Sequence, residues 1–395
     1  MKQPLHILFL PSWYPIKADD IGGSFFREQA LALHKKSHKV GVVAPAVIRS
    51  LKDVSGIITK PYGLRIEDDQ GIQTYRWHMV NFTPRFNKIN GRRGLNIGEK
   101  LFKEYIKNNG LPDIIHVQSL VIAGPLALLI SKKYEIPYVV TEHSSIFATG
   151  NIDKRNIQIF KKTIKASQIN IAVSNKFVEL LNEIFSVKDW QYLPNIVNDS
   201  FLNAQLKCNP DNHFEFISIC SLDRNKRIDI LIQSFSKAFK GNERVKLKIG
   251  GDGPEKNNLV NLMYEEGLSK QVTFLGSLER EQVKKEMASS DAFVLSSEYE
   301  TFGVVIIEAM ALGKPVVATR CGGPESIVIP LVGYLVEKNS IDALAEGMTN
   351  LYENRDRYSA EDIREYCKNN FSEDVVVNKL VNIYLTALNK SIYDI

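Results

Sequence analysis

Two carboxylates, Glu300 and Glu308, are separated by seven residues, and Gly303 between them precedes an apolar segment with helical spacing. A helix that begins near Gly303 carries Glu308 about 7.5 Å along its axis, at about 1.5 Å per residue. The free N–H groups of a first helical turn attract an anion, because the positive end of the helix dipole lies there. A diphosphate on the amides of Gly303 and Val304 would have one carboxylate on each side. One carboxylate could bind the hydroxyls of a sugar and the other those of a ribose.

The elements on either side of the pair support this arrangement. Ala292 to Leu295 form a short apolar run typical of a buried strand, and Gly313 closes the helical pattern that follows. The helix face is too apolar for a surface position and comprises Val304, Val305, Ile307, Met310 and Ala311. An isolated pair of glutamates at this spacing is more often two solvated carboxylates on a core helix.

The context of the pair carries a family resemblance. Thr301, Phe302 and Gly303 lie between the glutamates, and Gly-Lys-Pro follows the helix at residues 313–315. The stretch resembles the E-x7-E segment of the retaining GT-B-fold glycosyltransferases of family 4 (group 1, glycogen-synthase-like). The resemblance implies that Glu300 is a binding group in the catalytic site, not half of a glycosidase acid–base pair. It also implies that the donor contacts Thr301, Phe302, Gly303, Val304 and Glu308.

A second polar loop, residues 221–227, follows the first predicted strand of the second half. Lys226 matches the family's phosphate-binding lysine by its spacing to the next helix, although a surface lysine is the alternative. The family usually places an arginine five residues earlier, where this chain has Ser221, and serine cannot supply the bidentate guanidinium bond to phosphate. Arg224 or Arg227 could substitute, and the sequence leaves both open.

Glycine-rich loops follow other strands of this half. Residues 250–256 fail the G-x-G-x-x-G dinucleotide fingerprint, because Lys256 occupies the third glycine position, and this argues against a dehydrogenase. The segment resembles the family's loop near the nucleotide, which contains Gly251. Gly276 stands where the family usually holds the base through backbone groups. A further glycine turn, residues 321–325, is implied to lie beside the donor.

The first half offers a glycine turn and two histidines. Gly22 and Gly23 follow the first predicted strand and open a helix that Ser24 can cap, where backbone could approach a phosphate. A plain tight turn is the alternative, and the resemblance assigns both glycines to the donor. His116 lies in the later predicted strand 113–118, and His143 follows the next one, 137–141. Open α/β sheets bind ligands beyond the carboxyl ends of their strands, so both histidines are candidates. The resemblance implies that His143 touches the donor sugar near the reacting carbon, whereas a structural role is favoured for His116.

The length of 395 residues predicts two domains. Two successive series of alternating strands and helices meet at an Asn- and Asp-rich linker, residues 196–212. We therefore expect two doubly wound (Rossmann-like) α/β domains facing across a cleft, which is the GT-B fold that the family resemblance implies. The family resemblance implies that residues 1–195 bind the acceptor and residues 196–372 the nucleotide sugar. It also implies that a last helix, residues 373–395, crosses back to the first domain.

The composition excludes several classes of protein. No apolar run reaches the roughly 18–20 residues that span a bilayer, and the N-terminus lacks a signal-peptide pattern. The four cysteines are scattered singly, as expected of reduced thiols without a disulfide or metal. No D-x-D motif stands out. We expect a cytoplasmic enzyme without a metal or other cofactor, in which helix N-termini and Lys226 stabilise the leaving diphosphate.

The net charge of +5 combines +11 over residues 1–195 with −6 over the remainder. A basic half suggests an anionic partner, although a solvated basic surface is the alternative. No nucleic-acid motif is present, so nucleic acid is not expected. A basic loop, residues 81–94, leads into a helix that carries Lys100, Lys103 and Lys107. This helix either packs on a sheet or docks on an anionic membrane surface or an acceptor.

The predicted function is glycosyl transfer from a UDP- or GDP-sugar to a glycan or lipid-linked glycan. Surface polysaccharide, lipopolysaccharide or glycolipid synthesis at the inner face of the membrane is the expected setting. A same-fold isomerase or phosphorylase, or a non-catalytic binding module, is the alternative. Ser221 favours the module, whereas four residues favour an enzyme, namely His143, Lys226, Glu300 and Glu308.

Overall fold

The computed structural model describes residues 4–16, 20, 22–44, 47–49, 62–80, 87–150, 152, 154–187, 189–206 and 213–393. The chain divides into two compact units. The first unit comprises Met1–Ala172, Leu180–Leu193 and Val377–Ile395. The second unit comprises Val173–Glu179 and Pro194–Val376.

The first unit is built on a mainly parallel sheet. Its described strands are β1 His6–Pro11, β2 Lys39–Val43, β3 Val47–Arg49, β4 Gly63–Asp69, β5 Ile72–Val80, β6 Ile114–Gln118, β7 Tyr138–Glu142, β8 Ile169–Ala172 and β9 Trp190–Tyr192. They run in the order β3-β5-β2-β1-β6-β7-β8-β9, and β4 pairs antiparallel with β5. Strands β6 and β7 are buried along their whole length, as expected for a parallel sheet covered on both faces.

Helices connect these strands. They are α1 Ser24–Lys35, α2 Asn87–Asn109, α3 Leu120–Tyr134, α4 Lys154–Ala166 and α5 Asn175–Phe185. The prediction of a basic loop over residues 81–94 is wrong from residue 87 onwards, because α2 begins there. Residues 81–86 lie outside the described part of the chain. Buried Leu101, Phe102 and Tyr105 hold α2 against the unit, so its early glycines are tolerated.

The second unit is built on a wholly parallel sheet. Its strands are β10 Phe214–Ile219, β11 Val245–Gly250, β12 Val272–Gly276, β13 Ala292–Leu295, β14 Val316–Thr319 and β15 Gly333–Val336. Their order is β12-β11-β10-β13-β14-β15. The helices are α6 Asp199–Leu202, α7 Ile228–Phe239, α8 Lys256–Glu265, α9 Arg280–Ser289, α10 Val304–Ala311, α11 Ile341–Glu353 and α12 Ala360–Phe371. One mainly parallel and one wholly parallel sheet, each with helices between its strands, confirm the predicted pair of doubly wound α/β folds.

The last helix, α13 (Glu373–Tyr393), belongs to the first unit from Val377 onwards. Its Tyr384 is fully buried, and the hydroxyl lies 2.7 Å from Nδ1 of His116 on β6. The expected return of the C-terminal helix to the first domain is thus observed. Among the described residues, no helix combines the length and apolar character needed to cross a bilayer.

Candidate donor site

The loop between β13 and α10 places both glutamates of the predicted site. Gly303 caps α10 with φ 99, a left-handed conformation that favours glycine, and no side chain caps this helix. The first-turn N–H groups therefore have no side-chain acceptor. The predicted strand Ala292–Leu295 and the helix start near Gly303 both agree with the structure.

The glycine turn after β14 braces this loop. The N–H of Glu300 donates to the carbonyl of Cys321 at 3.0 Å, and the N–H of Gly323 donates to the carbonyl of Glu300 at 2.7 Å. A Cβ on Gly323 would lie 2.2 Å from the carbonyl oxygen of Phe302. The sequence pattern predicts that these glycines let backbone approach the donor. In the described unit they let one loop approach another.

Lys226 and Glu300 form an ion pair and a hydrogen bond, from Nζ to Oε1. Their side chains are 20% and 16% exposed. The hydroxyl of Ser297 donates to the same Oε1 at 3.0 Å. Burial by itself would lower the pKa of Lys226, but attraction to Glu300 and the hydrogen bond outweigh burial, so the pKa is raised. The ammonium thus stays charged at neutral pH, beside an ordered carboxylate.

Local hydrogen bonds fix the loop that carries Lys226. Asp223 caps the short 3-10 turn that ends at Lys226, accepting from the N–H of Asn225 at 2.9 Å. The side chain of Asn225 donates to the carbonyl of Tyr299 at 3.0 Å, and Ser296 Oγ donates to the carbonyl of Lys226 at 2.7 Å. These bonds join the two predicted donor loops, which the sequence could not show.

The residues near the position of the family's arginine have different surroundings. The Ser221 hydroxyl donates to Oδ2 of Asp223 at 2.6 Å. The guanidinium of Arg227 binds Asp229, with Nη2 2.9 Å from Oδ2. Arg224 is 90% exposed and donates from Nε to Oε1 of Glu255 at 3.1 Å. Arg224 therefore has the greater freedom to meet a ligand.

Glu308 lies inside α10 with its side chain only 1% exposed. Oε1 accepts from Nη1 of Arg280 at 2.5 Å, whereas Oε2 is buried without a hydrogen-bond partner. Burial raises the pKa of Glu308, and the charge of Arg280 opposes that shift. Arg280 also lies over the ring of Phe201, 4.8 Å from its centroid. No motif in the sequence pointed to Arg280.

Two other glycines predicted to contact the donor, Gly251 and Gly276, have left-handed backbone conformations but different surroundings. Gly251 has φ 127, and a Cβ there would lie 1.8 Å from the carbonyl oxygen of Cys220, so this glycine is required by the fold. Gly276 has φ 73, and nothing would lie within 4 Å of its Cβ. There is therefore room beside Gly276, although its carbonyl oxygen already accepts from the N–H of Gly251 at 2.7 Å.

The first unit brings His143 together with the predicted glycine turn. Gly22 is exposed, whereas Gly23 has φ 83, and a Cβ on Gly23 would lie 2.9 Å from Cδ1 of Trp13. Gly23 itself caps α1, so the predicted capping role of Ser24 is wrong, since Ser24 is the first helical residue. Rings of the first turn of α1 pack on His143, which is 7% exposed.

Glu142 orders the backbone around His143, a role that no motif in the sequence indicated. Its Oε1 accepts from the N–H groups of His143 at 2.9 Å and Ser144 at 2.7 Å. Its Oε2 accepts from the N–H of Leu120 at 2.8 Å. Burial raises the pKa of Glu142, and these hydrogen bonds oppose the shift. The position of Glu142 at the carboxyl end of a strand was the available signal.

His116 is fully buried, and burial lowers its pKa to about 3. Its Nε2 lies 2.8 Å from Oγ1 of Thr141. These contacts agree with the structural role favoured for His116. Within the described ranges, no three or more His, Cys, Asp or Glu side chains are arranged to hold a metal ion.

Comparison with known proteins identifies the family. The model for "Glycosyltransferase Family 4" matches residues 22–201, and the model for "Glycosyl transferases group 1" matches residues 205–370. A putative teichuronic acid biosynthesis glycosyltransferase, TuaC of Bacillus subtilis (strain 168), is 25% identical over 98% of this chain and 100% of its own. The N-acetyl-alpha-D-glucosaminyl L-malate synthase of Bacillus anthracis is 28% identical over 70% of this chain and 75% of its own.

Solved structures share the fold. Sucrose-phosphate synthase from Thermosynechococcus elongatus has a TM-score of 0.78 at 19% identity, covering 98% of this chain and 100% of that one. Anabaena Alr3699/HepE in complex with UDP and glucose has a TM-score of 0.71 at 19% identity, covering 96% and 99%. With these matches to both halves, the chain belongs to the group 1, family 4 glycosyltransferases and has their GT-B fold.

Proposed function

We propose that this glycosyltransferase moves a sugar from a UDP- or GDP-sugar to an acceptor hydroxyl with retention of the anomeric configuration. The partly buried ion pair of Lys226 and Glu300, which joins the loop after β10 to the loop before α10, is the observation that carries the proposal. The ammonium can meet the negative diphosphate, and the carboxylate beside it can accept from sugar hydroxyls. A sugar and a diphosphate are adjacent in a nucleotide sugar, as these two side chains are adjacent where the two loops meet.

The buried carboxylate of Glu308 would bind the ribose. Its Oε2 has no hydrogen-bond partner, and a buried acceptor without a partner costs about 1–3 kcal/mol. A ribose hydroxyl would supply the missing donor. Burial raises the pKa of Glu308, and the charge of Arg280 opposes that shift and so favours the ionised form, which accepts from hydroxyls.

The leaving diphosphate needs positive charge because it departs as an anion. The bond from the anomeric carbon to the diphosphate oxygen breaks, and a bond to the acceptor oxygen forms on the same face. The acceptor's hydroxyl proton passes to the departing phosphate oxygen. Lys226 and the first-turn amides of α10 stabilise that oxygen without a metal or other cofactor. Arg224 supplies the guanidinium that Ser221 cannot provide.

The proposed acceptor is a glycan or lipid-linked glycan in surface polysaccharide, lipopolysaccharide or glycolipid synthesis. The name of TuaC places that relative in the synthesis of a teichuronic acid. Residues 1–195 carry a net charge of +11, and Arg92 and Arg93 are exposed on α2. A basic surface of this kind would hold the enzyme to anionic lipid on the cytoplasmic face of the membrane.

Sedimentation with vesicles of anionic phospholipid tests this membrane proposal. The variant Arg92→Gln/Arg93→Gln should lose binding, by about 1 kcal/mol per charge removed. The matched control is Lys240→Gln/Lys270→Gln, which removes two exposed charges from the second unit. Equal binding of wild type and both variants would refute the role of α2.

A thermal-shift panel of nucleotides and nucleotide sugars, with a chelator present, tests the donor proposal. A ligand at 100 times its Kd adds about 2.7 kcal/mol of stability, which gives a clear shift. Selective stabilisation by one nucleoside diphosphate and its sugar is the expected result, and a flat panel would contradict it. Donor consumed without any acceptor would indicate an isomerase or phosphorylase, and stabilisation without turnover would indicate a binding module.

A further inference from the structure

A buried amide fixes the proton on His143. Nε2 of His143 lies 2.8 Å from Oε1 of Gln118, the last residue of β6. The other end of this amide is occupied, because Nε2 of Gln118 donates to Oε1 of Gln29 at 2.6 Å. A carbonyl oxygen accepts and cannot donate, so Nε2 of His143 carries the proton. Nδ1 of the neutral ring is then an acceptor.

This acceptor is unsatisfied. Nδ1 of His143 is buried and has no hydrogen-bond partner. The ring cannot easily turn towards another partner, because Phe25 and Phe26 pack on it with ring centroids 4.9 Å away in both cases. Buried polar atoms in native proteins nearly always have a partner, so Nδ1 is expected to accept from a water molecule or from a ligand group.

The surroundings keep His143 neutral. Burial lowers its pKa well below the usual range, and the neighbouring His116 acts in the same direction. Glu142 also faces it, but the carboxylate accepts from backbone N–H groups, including that of His143 itself. His116 is held on its other side by the hydroxyl of Tyr384 from α13. A neutral imidazole with its proton on Nε2 is therefore the ground state.

We propose that Gln118 is a positioning residue that holds His143 as the Nε2–H tautomer, so that Nδ1 accepts a hydrogen bond from a sugar hydroxyl of the substrate. The proposal rests on the proposed glycosyl transfer and adds a requirement on the substrate. The sugar must present a donor, a hydroxyl or an amide N–H, to Nδ1. A carboxylate or a fluorine at that position has no hydrogen to give and would be rejected.

The tautomer can be observed without any substrate. Long-range ¹H–¹⁵N spectra of the ligand-free protein distinguish Nδ1–H from Nε2–H histidines, and His143→Gln identifies the relevant signals. We expect the Nε2–H form in the wild type and a mixture of forms in Gln118→Met, which lacks the acceptor. A wild-type Nδ1–H form would overturn the proposal even in a fully active enzyme.

The pH dependence of kcat/KM distinguishes a positioning role of Gln118 from a purely structural one. Gln118→Glu keeps an acceptor for Nε2–H but favours the imidazolium, whose Nδ1 no longer accepts, so kcat/KM should fall steeply as pH decreases and recover at alkaline pH. Gln118→Met should lose about five- to tenfold at every pH, the worth of one hydrogen bond. A purely structural amide would give Gln118→Glu the same pH profile as Gln118→Met and the wild type.

Substrate analogues complete the test and separate its failure from that of the proposed function. Deoxy and fluoro donors that remove the relevant hydroxyl should lose activity in the wild type, with no further loss in Gln118→Met. Full activity of every such analogue would overturn the hydroxyl contact and leave glycosyl transfer intact. A wild type that binds no nucleotide sugar would overturn the proposed function, while the tautomer spectrum would still report on Gln118.

Discussion

The ammonium of Lys226 binds Oε1 of Glu300, a residue 74 positions further along the chain, and neither side chain is more than one-fifth exposed. The pair joins the loop after β10 to the loop before α10. In the proposed complex the same two groups face the diphosphate and the sugar. The bond between them therefore both orders the empty site and brings the two binding groups into position.

Removing Lys226 alone should destabilise the protein. Lys226→Met leaves the carboxylate of Glu300 without its cation, at an expected cost of about 1–3 kcal/mol in the free energy of unfolding. Lys226→Met/Glu300→Gln should recover most of that loss, because no unpaired charge remains. Urea denaturation of the wild type, both variants and Glu300→Gln gives the coupling free energy between the two side chains. Independent effects of the two substitutions would show that the pair is not formed in solution.

The pH at which nucleotide affinity begins to fall on acidification should depend on Arg280. Burial raises the pKa of Glu308 and the guanidinium opposes this, so removing the guanidinium raises the pKa further. A carboxyl with a raised pKa loses its charge, and with it a ribose acceptor, at a higher pH. In Arg280→Ala the nucleotide affinity should therefore start to fall at a higher pH than in the wild type. Arg280→Lys, which keeps the charge, is the control, and superimposable affinity profiles for all three proteins would refute the coupling.

His116 should make the first unit sensitive to acid. Its folded pKa of about 3 lies below the ordinary value of 6.5, so its contribution to stability is complete above pH 6.5 and is lost as pH falls towards 3. Between pH 7 and pH 5 the loss is about 2 kcal/mol. Thermal unfolding of His116→Asn should show a shallower dependence on pH. Tyr384→Phe removes the hydroxyl but keeps the histidine, so it should retain the wild-type slope, and an unchanged slope in His116→Asn would contradict the assignment.

The glycine turn after β14 should tolerate no side chain at Gly323. Its Cβ would lie 2.2 Å from the carbonyl oxygen of Phe302, so Gly323→Ala must displace the loop that carries Glu300. We expect a loss of about 1–3 kcal/mol in stability together with weaker nucleotide binding. Gly94→Ala on the exposed side of α2, where nothing lies within 4 Å of the added carbon, should be neutral or slightly stabilising. Equal stability of both variants would contradict the tight contact.

Much of the fold follows from local pattern. Apolar runs bounded by polar residues predicted most strands of both sheets, and Ala292–Leu295 was predicted at its observed bounds. The polar hairpin strand β4 carries charges on both faces and gave no apolar signal. The start of α2 was missed because glycines and arginines there indicate a loop, whereas packing of its later turns stabilises the helix.

The site was less predictable than the fold. The sequence identified Lys226, Glu300 and Glu308 one at a time, through their resemblance to a family motif, but not the bond between the first two. Arg280 and Gln118 lie in no motif, and each becomes meaningful only through a partner distant in sequence, Glu308 and His143 respectively. Such pairs depend on how strands and helices are packed, which a local pattern does not encode.

The most direct test of the donor site is the affinity for a nucleoside diphosphate in the presence of a chelator. Isothermal titration should compare the wild type with Lys226→Met/Glu300→Gln, which removes both charges without leaving either unpaired. We predict that the diphosphate binds at least 100-fold more weakly to the variant, while the corresponding nucleoside, which has no phosphate, loses far less. Equal affinity of the two proteins for the diphosphate would show that it does not bind at this pair, and the proposed donor site would be wrong.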